Sequence, residues 1–255
     1  MASVYDRTAW LIGEAAVRRL AESRIAVFGA GGVGGYVIEA LARAGAGSGR
    51  VRPGSLTIVD FDSVDITNIN RQIIALHSTI GRSKVSVMAE RIKDINPDIN
   101  LIPREQLVDA ESIKSYDFAD YDYVVDGVDD VAAKLLIIES AKAAGTPVIS
   151  SMGTGNKLDP SRFQIADISK THTCPLARKV RKELAKRNIK DVKILFSDEN
   201  PSRAYTPELQ KGEKLSPASI SFVPSVAGLL IASEVVRDLI SEPETAQFPQ
   251  GTTIG

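Results

Sequence analysis

A single cysteine in 255 residues removes whole classes of architecture. No internal disulfide can form, and no zinc site built from several cysteines can exist. There are only two histidines, His77 and His172, and neither has a local partner, so both read as surface or packing residues. No apolar run approaches the length of a membrane span, so no membrane partner is expected. The stretch from Met1 to Arg19 carries charges throughout and lacks a signal-peptide core, which makes the cytoplasm the expected location. A net charge of −1 supplies no global field for nucleic acid, so any such contact must come from a local patch. What remains, 44% hydrophobic and 25% charged, is ordinary for a soluble globular protein. The length suits one large α/β domain, or one domain with a small appendage.

The most informative stretch is Ile25-Ala26-Val27-Phe28-Gly29-Ala30-Gly31-Gly32-Val33-Gly34-Gly35. It reads as a buried strand, a glycine turn and the start of a helix running through Tyr36 to Arg43. Gly29, Gly31 and Gly34 fit G-x-G-x-x-G. The first glycine permits a tight turn, the second lets backbone approach a phosphate, and the third lets helix and strand pack closely. The helix N-terminus then offers N–H groups to an anion. Alone, the motif says only that a nucleotide binds.

Taken in order, the chain predicts an amphipathic helix over Thr8 to Leu20, just after Arg7. After the glycine helix comes a long turn, Ala46 to Ser55, and then a strand, Leu56 to Val59, with Asp60 at its end. An acid there commonly takes ribose hydroxyls. The polar run Asp65 to Gln72 reads as a functional loop. Ser83 is placed to cap a helix over Lys84 to Ile95. Further strands are expected at Ile99–Ile102, Tyr123–Asp126 and Val148–Ser150, with a helix from Val131 to Ala144. The strand, loop, helix repeat argues a doubly wound, mostly parallel Rossmann-like α/β sheet, with sites at the strands' C-terminal ends. Residues 1–160 form the expected nucleotide-binding core.

Residues 161–241 read as a smaller C-terminal α+β extension of the same domain, used for substrate binding and dimerisation. Strands are expected at Arg162–Ile168 and Val192–Phe196, with a basic helix from Leu176 to about Arg187 between them. Ser197 to Ser219 reads as mobile, Ile220 to Val223 as a last strand, and Ser225 to Ile240 as an apolar helix that needs a partner surface. The tail, 242–255, reads as disordered.

Asp60, Arg71, Lys84 and Asp126 form the chemically telling set. Two cations following the ribose acid suit a phosphate chain, and an acid ending Val124-Val125-Asp126 suits magnesium. Each cation alone would pass as a solvated surface charge. Together with the glycine loop they favour ATP over a nicotinamide cofactor. The chain resembles the ubiquitin-activating-enzyme-like adenylyltransferases in Gly29–Gly34, Val59-Asp60-Phe61-Asp62, Asn68-Ile69-Asn70-Arg71-Gln72, Gly81-x-x-Lys84 and Val125-Asp126-Gly127-Val128-Asp129-Asp130. Within that superfamily it most resembles the tRNA threonylcarbamoyladenosine dehydratases. That narrower likeness rests on Tyr5-Asp6-Arg7-Thr8, Met88 to Pro97, Ser150 to Pro160 and Cys174-Pro175-Leu176-Ala177.

The resemblance implies an ATP-dependent, adenylate-forming enzyme that dehydrates threonylcarbamoyladenosine in tRNA. Gly29, Gly31, Gly32 and Gly34 would wrap the phosphates and Asp60 would hold the ribose. Asn68, Arg71, Gln72 and Lys84 would bind and polarise the triphosphate. Asp126, with Asp129, would position Mg2+. Arg7 would reach into the neighbouring subunit's site, so a homodimer is implied. The long turn at Ala46–Ser55 departs from the superfamily's usual connection but lies away from the site. The C-x-x-C pairs usual in sulfur-carrier-activating relatives are absent, which counts against a carrier-protein substrate. A sulfur or redox partner protein is not identified by the sequence. Three alternatives remain at this point: an enzyme that activates a ubiquitin-like or sulfur-carrier C-terminus, a non-enzymatic adaptor and an NAD-dependent dehydrogenase.

Two further features invite roles. Cys174 precedes Pro175 at a helix N-terminus beside Arg178 and Lys179, conditions under which a thiol could serve as a nucleophile, against the reading of a buried structural cysteine. Arg178 to Lys193 carries eight cations against two acids, and Arg178 and Arg181 are its candidate tRNA contacts. A solvated helix face is the bland alternative.

Overall fold

The computed structural model describes residues 3–50, 52–207 and 216–241. Seven strands form one sheet in the order β3-β2-β1-β4-β5-β7-β6. They are β1 (Arg24–Phe28), β2 (Ser55–Asp60), β3 (Leu101–Glu105), β4 (Tyr123–Asp126), β5 (Val148–Ser151), β6 (Phe163–Asp167) and β7 (Lys193–Ser197). Every pairing is parallel except β6 against β7. The order reverses between β1 and β4, so the strand ends diverge there and leave a crevice at their C-terminal edge. The C-terminal strands extend the same sheet, because β7 pairs with β5.

All residues of β2 and β4 are buried, as expected of strands covered on both faces. Alternate side chains therefore feed different cores. Ile25, Val27, Leu56, Ile58 and Val125 pack with helices α3 (Gly34–Arg43), α4 (Lys84–Ile95) and α7 (Phe222–Ile240). Ala26, Phe28, Val59 and Val124 face α5 (Val131–Ala144). A third cluster joins α5 to α6 (Pro175–Lys186) through Leu135, Ile138, Val180 and Leu184.

The α4 and α5 helices span the residues the sequence predicts; Asp130 caps α5 by accepting from the Ala133 N–H at 2.8 Å, whereas Ser83 precedes α4 without the expected side-chain cap bond. Three expectations are corrected. The first helix is two, α1 (Asp6–Ile12) and α2 (Glu14–Glu22), broken at Gly13, whose φ of +83° an L residue rarely adopts. Ile220–Val223 is not a strand: α7 begins at Phe222, and Pro224 is tolerated because the first helical turn needs no N–H partner from it. The third strand starts at Leu101, after the Asn96–Asn100 turn. The described limbs of the expected mobile segment, 197–207 and 216–219, carry no helix or strand beyond Ser197. Its centre, 208–215, and the 242–255 tail lie outside the described residues.

The apolar helix finds its partner surface within the chain. Helix α7 buries Val223, Ala227, Ile231 and Val235 against α3 and the sheet. Its first turn sets Pro224 beside the glycine loop, 3.3 Å from where a Gly32 Cβ would lie.

That loop is sterically closed from behind. A Cβ on Gly34 would lie 1.8 Å from the Gly29 carbonyl oxygen, whereas one on Gly31 would meet only the Gln72 Nε2, at 3.8 Å. Alanine in a helix gains at most about 1 kcal/mol over glycine. Overpacking against backbone outweighs that gain, so Gly34→Ala is expected to cost about 2–3 kcal/mol in urea unfolding. Gly31→Ala is expected to stay within about 0.5 kcal/mol of the wild type.

Candidate active site

The crevice is lined from several elements. On one side Asp60 ends β2 and folds its carboxylate back onto the glycine loop. One oxygen accepts from the Ala30 N–H at 2.7 Å and the other from the Asp62 N–H at 2.9 Å. An ionised carboxylate has about four lone-pair positions, so both oxygens keep room for a ligand donor. Lys84 is the first residue of α4, and its buried ammonium reaches the half-exposed Asp62 carboxylate at 2.6 Å. Glycine loop, Asp60, Asp62 and Lys84 thus form one connected polar rim.

A second wall comes from a short 3-10 turn, Ile66–Asn68, capped by Asp65. Asn68 is buried, and its Oδ1 accepts from the Asp65 N–H at 3.1 Å, so it shapes the turn. Arg71 donates to the Thr67 carbonyl at 2.8 Å and to the Asn70 Oδ1 at 3.0 Å, and its Cγ lies 3.6 Å from where a Gly32 Cβ would be. Gln72 is buried beside Gly31, and its Oε1 has no hydrogen-bond partner. An orphaned buried amide oxygen costs stability unless something bonds to it. The other end of the amide, the donor Nε2, is the atom that faces the open space at Gly31, where an anionic ligand could accept from it.

Asp126 does not belong to that lining. It is fully buried at the end of β4. Its Oδ2 accepts from the Ser150 hydroxyl at 2.5 Å and from the Lys134 ammonium at 3.1 Å, and its Oδ1 accepts from the Val128 N–H at 3.2 Å. In this geometry Asp126 faces Lys134 and Ser150 and not the crevice, so its contacts lend no support to the expected metal-binding and catalytic role. Asp129, three residues on, is exposed. Among the described residues, no group of three or more His, Cys, Asp or Glu side chains could hold a metal unaided.

Lys134 and Ser150 are the residues that sequence reasoning missed. The available signal was a lysine inside the otherwise apolar run Val131–Ile138. Its partners, eight and sixteen residues away in sequence, come together only through the fold.

Cys174 is 2% exposed, in an apolar cluster with Leu135, Met152 and Ile168, its sulfur 3.6 Å from where a Gly153 Cβ would lie. Arg178 and Lys179 are exposed and do not supply the expected cationic setting; the cation that acts on the thiol is the buried Lys157. The neighbouring Lys157 is buried and donates to the Glu199 carbonyl at 2.6 Å, and desolvation holds its pKa below the ordinary lysine value. His77 and His172 are both exposed, the latter edge-on to Phe196.

Two more residues fall away from the crevice. Arg7 is exposed on α1, whose neighbour Tyr5 wedges against Gly45 and bonds to Asn96. Those residues follow the C-terminal ends of α3 and α4, while the crevice lies at the helices' N-terminal ends. Arg181 bonds to the Thr171 carbonyl at 2.5 Å and to its hydroxyl, so it holds the α6 N-terminus in place and is not a free cation. On the same stretch Lys186, Arg187 and Lys193 pair with Glu183, Glu139, and Glu234 with Asp238, respectively. Arg178, Lys179, Lys182 and Lys190 are exposed and carry no ion pair among the described residues.

The ThiF family profile matches residues 5–253. The chain belongs to the ThiF family. It is 42% identical over 250 residues to the tRNA threonylcarbamoyladenosine dehydratase of Bacillus subtilis, covering 94% of this chain and 96% of that protein. The crystal structure of the Escherichia coli tRNA N6-threonylcarbamoyladenosine dehydratase in complex with ATP superposes with a TM-score of 0.82 at 32% identity, covering 92% of this chain and 93% of that one. The complex of the same Escherichia coli enzyme with AMP gives a TM-score of 0.80 at 31% identity, over 94% and 98% of the two chains. The ThiF-family sheet is therefore the frame in which the crevice of this chain must be understood.

Proposed function

We propose that this protein is an ATP-dependent tRNA threonylcarbamoyladenosine dehydratase. The observation that carries the reading is likeness to the Bacillus subtilis dehydratase along nearly the whole of both chains. The geometry supports it, because Arg71, the Gln72 Nε2 and Lys84 supply donors on two sides of a glycine loop that leaves space at Gly31.

The substrate carries a free threonine carboxylate, a poor electrophile. Attack of a carboxylate oxygen on the ATP α-phosphate forms an acyl-adenylate and releases pyrophosphate. The carbamoyl oxygen then closes a five-membered ring on the acyl carbon and expels AMP, and a proton is lost from the carbamoyl nitrogen. The net change is loss of water. Ring closure is intramolecular, so no protein nucleophile is needed, in keeping with the burial of Cys174. This chain's work is to neutralise and align charge. The glycine loop and the α3 N-terminus receive the phosphates, and Asp60 takes the ribose. Asn68 holds the turn from which Arg71 and Gln72 project. Lys84 exchanges its Asp62 partner for the triphosphate.

A magnesium ion bound with ATP would neutralise part of the triphosphate charge. Asp129, an exposed carboxylate on the turn after β4, would receive it, with the remaining ligands coming from phosphate and water. Arg7 serves the site of a second subunit in a homodimer. Two features support this: its own crevice lies at the other end of the helices, and the α1 region exposes Val4, Trp10 and Leu11 to 80% or more. The modified tRNA would meet the four exposed cations of α6 and its following turn. No helix among the described residues is long and apolar enough to cross a membrane, and a cytoplasmic tRNA substrate fits that feature.

The reading predicts that AMP and pyrophosphate form only with threonylcarbamoyladenosine-bearing tRNA. Arg71→Ala and Lys84→Ala should each slow AMP formation at least tenfold, about 1.4 kcal/mol of transition-state stabilisation, with unfolding midpoints little changed. Undiminished AMP formation in both variants would remove this crevice from the reaction. For the tRNA surface, Arg178→Ala combined with Lys182→Ala should weaken tRNA binding and lower the slope of log affinity against log salt by about 0.7–0.9 per lost phosphate contact. ATP affinity should be nearly unaffected. An unchanged slope would take α6 off the binding surface.

A further inference from the structure

The most deeply buried ion pair among the described residues lies beneath the crevice. Asp126, Lys134 and Ser150 are each wholly buried, and they come from β4, α5 and β5. The pair is close-knit: Lys134 Nζ lies 3.1 Å from Asp126 Oδ2 and 3.5 Å from Ser150 Oγ. No other charged group bonds to it among the described residues. Burying an ion pair is costly, and hydrophobic side chains of similar volume are often as stable or more so. Stability alone therefore does not account for it.

Its connections point upward. The free oxygen of Asp126 holds the Val128 N–H at 3.2 Å, which fixes the turn Gly127-Val128-Asp129. The Gly127 N–H donates to the Phe28 carbonyl at 2.8 Å. A Cβ on Gly29 would lie 2.9 Å from the Gly127 carbonyl carbon and oxygen, and a Cβ on Gly127 would lie 3.3 Å from the Gly34 Cα. The Gly127 peptide is thus the floor on which the first and third glycines of the nucleotide loop rest, and the turn that presents Asp129 is its continuation.

We propose that Lys134, assisted by Ser150, is a positioning residue for nucleotide binding: through Asp126 it sets the Gly127-Val128-Asp129 turn and, with it, the shape of the glycine loop. The inference rests on the reading of the crevice as an ATP site. Lys134 touches no ligand and acts only through Asp126. What the site requires of Asp126 is an acceptor for Val128 at this position, and a neutral group of the same shape can supply that provided the cation opposite is removed as well.

The test is calorimetric ATP binding in the presence of Mg2+, carried out on the full chain well below its unfolding midpoint, with folding checked by circular dichroism. In Lys134→Met the Asp126 carboxylate loses its cation. Stability should fall, and the folded protein should bind ATP at least about tenfold more weakly. The neutral pair Asp126→Asn with Lys134→Met keeps an acceptor for Val128 and should recover both stability and ATP affinity to within about threefold of wild type. Ser150→Ala, which keeps the ion pair and removes one donor, should weaken ATP binding by about threefold while the fold persists, and it reads the device should Lys134→Met fail to fold. Wild-type ATP affinity in folded Lys134→Met, or in Ser150→Ala, would overturn the proposal. So would a stable double variant as weak as Lys134→Met, since the charge itself, and not the turn it shapes, would then serve the nucleotide. Absence of ATP binding in the wild type would instead strike at the ATP reading.

Discussion

Three stretches of backbone meet with no side chain between them: the Gly29 carbonyl, the Gly34 Cα and the Gly127 peptide. A Cβ on Gly29 or Gly34 would overlap backbone and one on Gly127 would crowd it at 3.3 Å, and this approach fixes the relation between β1, α3 and the end of β4. Because β1 and β4 are the central strands at which the sheet order reverses, the same contact sets the base of the crevice. Helix α7 closes the loop from the other side, with Pro224 against Gly32 and Gly228 close under the Val33 carbonyl. The nucleotide loop is therefore tightly confined on its protein sides and open chiefly at Gly31, where a phosphate would lie.

Charge is distributed in accordance with that geometry. Cations that would meet phosphate stand at the rim, Lys84 balanced by Asp62 and Arg71 held by Thr67 and Asn70. The cation below the floor is balanced by Asp126 and never reaches the surface. Further out, the α6 stretch divides its cations between those spent within the fold, such as Arg181 on Thr171, and those left in solvent. A carboxylate substrate carried on a polyanion requires this separation. Cations must be available where phosphates arrive, and the scaffold that orients them must be electrically settled before they do.

Most of the frame was legible because strands covered on both faces read as continuous apolar runs, and β1, β2 and β4 do so. Helices α4 and α5 were legible at both ends, as Lys84–Ile95 and Val131–Ala144. The break at Gly13 was hidden because apolar spacing continues across it. The start of α7 was misjudged because Ile220–Val223 is a short β-branched run, which periodicity alone cannot assign to strand or helix. In the site, Asp60 was readable from its place at a strand end. Asp126 stands at an equivalent place but owes its role to partners on α5 and β5, and contacts of that kind leave no local trace. Arg181 was similarly indistinguishable from its exposed neighbours until the fold brought Thr171 against it.

All of these features converge on one chemical claim, that the crevice activates a carboxylate by joining it to the α-phosphate of ATP. The claim can be followed atom by atom. Modified tRNA whose threonine carboxylate carries a heavy oxygen isotope at both oxygens would be turned over with unlabelled ATP, and the released nucleotide and phosphates examined by mass spectrometry. Attack by the carboxylate and expulsion of AMP on ring closure must leave one labelled oxygen in each AMP and none in pyrophosphate or orthophosphate. Label in orthophosphate, or unlabelled AMP alongside cyclised tRNA, would contradict the account.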